Sequence, residues 1–107
     1  MYREKNNTMP EDIIYTPLDD GFGFRAMCNG MTVGSITFVR VGIDKIIIDH
    51  TEIHADFTDR HIDDELVRRV VDMARGQNRK IMCMCPIARA VFGRTPEYDD
   101  IRLVNVH

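Results

Sequence analysis

The order of three segments constrains this chain more than any other feature. Residues 45–53 hold the continuous β-branched run Ile46-Ile47-Ile48, the pattern of a strand covered on both faces. Ile62, Leu66, Val70 and Ala74 then recur four residues apart, with Val67, Val71 and Met73 widening the apolar stripe of a helix. Residues 80–85 form a second strand-like run that ends in Cys83-Met84-Cys85, followed by Pro86. Strand, helix and strand in that order bring two strand ends side by side. The first carries His50 near its end and the second carries Cys85. A crevice at the carboxyl ends of neighbouring parallel strands is where α/β sheets generally do their chemistry.

The remaining segments fill out a sheet. Residues 22–28 and 32–41 read as the strands of a hairpin, because Asn29-Gly30 supplies the two positive-φ positions that a tight turn needs. Ile13-Ile14-Tyr15, bracketed by Pro10 and Pro17, fits an added edge strand. Thr58 or Asp59 is the expected N-cap of the helix, Asp63-Asp64-Glu65 suit its positive end, and Gly76 is the expected stop. Pro86 opens a second helix running to about Phe92, and Pro96 ends it. Residues 101–106 are expected to form a last short strand.

Composition bounds the rest. A chain of 107 residues, 44% hydrophobic and 29% charged, suits one globular domain over residues 21–107, preceded by a polar arm over 1–20. A net charge of −3 gives no general attraction to nucleic acid or acidic membranes. No apolar run approaches the ~20 residues of a membrane span, and residues 1–10 lack the apolar stretch of a signal peptide. Three cysteines cannot all pair within one chain, so a reduced, cytoplasmic setting is expected.

Four pieces of the sequence carry a resemblance. Ile48-Asp49-His50-Thr51-Glu52-Ile53, the helix after it, Met84-Cys85-Pro86 and Pro96-Glu97-Tyr98 resemble the small single-domain members of the GNAT acyltransferase superfamily. Those proteins show a D-H-T-E-V-type strand end, a glycine-containing loop and helix, a strand ending L-C-P, and H-P-E-Y, at matching spacings from about residue 34 to 101. The resemblance implies an α/β (α+β) fold: a mixed, mostly antiparallel sheet with a central parallel strand pair and packed helices. It also implies acetyl-coenzyme A as donor and acyl transfer to an amine, small-molecule or protein. A monomer or weak homodimer is expected, since an exposed final strand could pair with a second copy.

Amine acylation asks for particular groups. A lysine-like amine, with an ordinary pKa near ~10.4, must lose a proton before it attacks, and a histidine near ~6.5 is a suitable base. On an extended strand His50 is expected to share a face with Ile46, Ile48 and Glu52. It is either the base or a core histidine that orders the strand end. Cys85 is either a nucleophile or leaving-group acid kept partly ionised by His50, or a buried small hydrophobe. Tyr98 is expected to pack under the C-terminal segment.

The resemblance places the donor at Ile53 and at Thr58, Asp59, Arg60, His61, Ile62, Asp63 and Asp64. Here the chain departs from its relatives. Their arginine–glycine pair becomes Thr58-Asp59, and later glycines become His61 and Asp63. Each change adds a side chain where backbone should approach a pyrophosphate, and several add negative charge. Two unit charges 4 Å apart at an effective dielectric of 20 cost ~4 kcal/mol, against ~0.3–2 kcal/mol from a helix terminus. Arg60 and a protonated His61 would offset part of this, and the carboxylates serve equally well as caps. Two alternatives to an enzyme follow. One is a GNAT-fold binding module whose donor site has decayed; the other is a thiol-redox or metal protein built on Cys83 and Cys85. No metal is expected, because two thiols lack the further ligands that tetrahedral zinc needs.

Overall fold

A computed structural model describes residues 12–103. Within them run β1 (Ile14–Pro17), β2 (Gly23–Cys28), β3 (Met31–Val41), β4 (Lys45–Ile53), α1 (Ile62–Gly76), β5 (Lys80–Cys83) and α2 (Pro86–Gly93). Short 3₁₀ segments at Ala55–Phe57 and Pro96–Ile101 complete the order. The five strands lie in sequence order in one sheet. The first three pairings are antiparallel, and β4–β5 is parallel. The parallel pair lies towards one side of that order, with Arg102 bridged in parallel to Ile81 beyond it. Of the expected arm and final strand, residues 1–11 and 104–106 lie outside the described residues.

Local chemistry explains most of these elements. Asn29 and Gly30 both take positive φ (52° and 80°), as the β2–β3 turn requires. In α1 the buried residues are Ile62, Leu66, Val67, Val70, Val71 and Ala74, the expected stripe. They close over Ala26, Ile36, Phe38, Ile46, Ile48 and Ile81 of the sheet, and all are members of one buried cluster. Full burial of each large apolar side chain is worth roughly 1.5–3 kcal/mol. α2 packs on α1 and on β4 and β5, so both helices cover the same sheet face. The other face presents Val39, Val41, Ile47 and Met82 with no helix over them among the described residues.

Two boundaries differ from expectation. The N-cap of α1 is His61 rather than Thr58 or Asp59. Residues 54–57 form their own turn, in which the Asp56 N–H donates to His54 Nδ1 at 3.1 Å, and this delays the helix. Gly76 is the last residue of α1, as expected, and the left-handed residue that follows the helix is Asn78 (φ 57°). β5 stops at Cys83, and Cys85 becomes the extended N-cap of α2, with Pro86 in its first turn.

Candidate functional site

The site is built where β4 and β5 part. Their ladder runs from Lys45 paired with Lys80 to Ile48 paired with Cys83. The Met84 N–H then donates to the Ile48 carbonyl at 2.9 Å. Past that bond β4 continues to Ile53 against β3, while the segment after β5 turns into α2. The backbone of β4 beyond Ile48 therefore faces a gap rather than a strand on that side.

A bulge marks the same place. Phe38 pairs with Ile48 and Thr37 with His50, so Asp49 is an extra residue. The Thr37 hydroxyl donates to the Asp49 carboxylate at 2.7 Å and holds the bulge. The extra residue shifts the alternation. Ile46 and Ile48 face the helices before it, and Thr51 and Ile53 after it. His50 consequently joins Thr37 and Glu52 on the open face, and does not share a face with Ile46 and Ile48. It is largely exposed, with Nε2 3.9 Å from Glu52 Oε1.

Cys85 lies on the other side. It is buried at the head of α2, in the core that the helices cover. Imidazole and thiol thus flank the gap from opposite faces and do not meet as the sequence suggests. Cys83 is also buried, and burial pushes its thiol up to about 11. At neutral pH it is protonated, a poor nucleophile and a poor metal ligand. Among the described residues no group of three or more His, Cys, Asp or Glu is placed to hold a metal ion. The Tyr98 ring lies 5.4 Å from the Phe92 ring, centroid to centroid.

On the helix side the gap opens into a cleft of about 270 Å³ lined by Ile53, Thr58, Asp63 and Ile87. α1 begins at its rim. A Cβ on Gly34 would lie 2.8 Å from Ile62 Cγ2 and 3.4 Å from Ile53 Cδ1, so glycine there lets the head of α1 sit directly on β3 and the end of β4. His61 takes φ 59°, a conformation natural to glycine, and contributes no side-chain cap to the helix. The acidic side chains of the first turn are engaged by arginines. Arg94 donates to Asp63 at 2.9 Å and to Asp64 at 2.8 Å. Glu65 accepts from Arg68 and Arg69, and the Arg68 hydrogen bond holds its carboxyl below the usual range. Asp59 and Arg60 lie outside the cleft lining, 3.9 Å apart.

Three residues of this region escape sequence reasoning. Ile87 reaches the cleft, and Arg94 reaches Asp63 beside it, only through the packing of α2 on α1. Thr51 stands in a recognised motif, but its burial depends on the bulge. Its hydroxyl oxygen is buried with no hydrogen-bond partner among the described residues.

The family model for GCN5-related N-acetyltransferases matches residues 22–101, and the chain belongs to that family. Among curated proteins no sequence match is found. A GCN5-like protein of Staphylococcus aureus has the same fold at TM-score 0.69, with 24% identity over 94% of this chain and 95% of that one. A ribosomal-protein-alanine N-acetyltransferase of Brucella melitensis aligns at TM-score 0.58 and 21% identity, over 79% of this chain and 63% of its own. An aminoglycoside N-acetyltransferase in complex with coenzyme A aligns at TM-score 0.51 and 14% identity, over 79% and 72%. No helix among the described residues is long and apolar enough to cross a membrane.

Proposed function

We propose that the chain is an acetyl-coenzyme A-dependent N-acetyltransferase whose donor and acceptor approach the sheet from opposite faces. The observation that carries this reading is the parting of β4 from β5 at the Ile48–Met84 bond, with the cleft on the helix side and His50 on the open side. The residues fit the donor. The head of α1, with Thr58, His61, Ile62 and the backbone of Asp63 and Asp64, would hold its phosphates. Ile53 and Ile87 would hold the pantetheine arm. Coenzyme A bound by a neighbour of the same fold supports the choice.

The donor supplies an acyl group activated as a thioester. The chain supplies the rest. β4 N–H groups facing the gap would polarise the carbonyl. His50 takes the proton of the incoming amine, and Glu52 beside it attracts that amine while it is still a cation. Cys85 guards the departure side, where a thiol can return a proton to the leaving sulfur. Attack is direct. The nitrogen–carbon bond forms as the carbon–sulfur bond breaks, and no acyl group rests on Cys85, because that thiol is buried away from His50.

A thermal-shift titration with acetyl-coenzyme A tests the proposal. A ligand of the native state must raise the melting temperature as its concentration rises. No shift at millimolar donor would leave the family's fold here as a binding module without a donor site.

A further inference from the structure

Among the described residues Thr51 is the one buried polar residue of the core, 5% exposed, and its Oγ1 has no hydrogen-bond partner there. A buried hydroxyl left without a partner has lost its water and gained nothing in return, so such groups are rare and call for a reason. Valine has almost the same shape and suits a strand better. Its place in the fold supplies the reason. Thr51 points to the helix side of β4, just past the bulge at Asp49 and two residues before Ile53, which lines the donor cleft. It thus stands on the stretch of β4 that lost its β5 neighbour.

We infer that Thr51 is a donor-positioning residue: its hydroxyl donates to a carbonyl of the acyl-coenzyme A arm when the arm enters the gap between β4 and α2. The hydroxyl stays unpaired in the free protein and becomes satisfied in the complex. This rests on the proposed function, and it assigns to Thr51 a part that neither the loop nor His50 performs.

The experiment compares wild type, Thr51→Val and Thr51→Ser by calorimetric titration and thermal melting. Two probes are used: acetyl-coenzyme A, and adenosine 3′,5′-bisphosphate, which lacks the arm. Thr51→Val should melt at or above the wild-type temperature without ligand. It should bind acetyl-coenzyme A about tenfold more weakly and bind the bisphosphate unchanged. Thr51→Ser should restore most of the affinity, whatever it does to stability. Equal affinity of Thr51→Val and wild type for acetyl-coenzyme A overturns the inference, and so does equal weakening towards both probes. If wild type itself binds neither probe, the proposed function fails first and carries this inference with it.

Discussion

Arg94 spans from the end of α2 to the first turn of α1, donating from one nitrogen to both Asp63 (2.9 Å) and Asp64 (2.8 Å). The bridge resolves the conflict between an acidic helix head and an anionic ligand. Arg94→Ala takes the guanidinium away from two carboxylates, one of which, Asp63, lines the cleft. Each unit repulsion at 4 Å amounts to ~4 kcal/mol at an effective dielectric of 20, more than the helix dipole returns. We expect at least a tenfold loss of acetyl-coenzyme A affinity by calorimetry. The melting temperature should move little, because half-exposed pairs contribute ~0–1 kcal/mol. Unchanged affinity would mean that the phosphates never approach these carboxylates.

His61 should prefer to be glycine. Its φ of 59° costs an ordinary residue about 1–2 kcal/mol, of which glycine's extra freedom in the unfolded chain takes back part. His61→Gly is expected to stabilise the fold by about 0.5–1 kcal/mol in urea unfolding and to tighten donor binding. Its 3.4 Å pairing with Asp64 is largely exposed and contributes little. Asp63→Gly behaves differently, since Asp63 is helical and glycine there costs about 1 kcal/mol. Equal destabilisation by both changes would refute the distinction.

These contrasts show which parts of the molecule one sequence discloses. Ile46-Ile47-Ile48, the Asn29-Gly30 turn, the stripe of α1 and Pro86 at the head of α2 are local signals, and each element formed where its residues put it. The face of His50 is hidden from the sequence, because it depends on how Asp49 is accommodated opposite Thr37 and Phe38 of β3, twelve and eleven positions earlier in the chain. Strict alternation placed His50 beside Ile48, and one extra residue reversed it. The Arg94 bridge and the orphaned Thr51 hydroxyl are likewise products of packing between segments far apart in sequence. Local chemistry thus disclosed the strands, and tertiary contacts decided what each side chain faces.

His50 and Cys85, on opposite faces, should fail separately. His50→Ala removes an exposed side chain, so folding and donor affinity should persist while turnover with amine acceptors falls ~10²–10⁴-fold. Glu52→Gln should chiefly raise KM for cationic amines. Cys85→Ala should lower turnover less than His50→Ala does. Mass spectrometry of the wild-type protein incubated with donor alone should find no acetyl group on Cys85. A stable thioester at that position would replace direct attack with a covalent relay.

Cys83 predicts a pH dependence of stability. Burial raises its pKa from 9.0 to about 11 in the folded chain, while the unfolded thiol titrates near its ordinary value. Between these values the unfolded state has released the proton and the folded state still holds it, so the unfolded state binds fewer protons. Stability from this group is therefore complete below pH ~9, declines as the pH rises, and is lost once the pH passes about 11. Urea unfolding from pH 7 to 11 should show that decline, and Cys83→Ala should remove most of its slope while lowering stability at pH 7 through the small cavity it leaves. Alkylation of Cys83 by iodoacetamide should be negligible at pH 7 without denaturant. Rapid labelling at neutral pH would show that the thiol is not buried, and the pH dependence would then vanish with it.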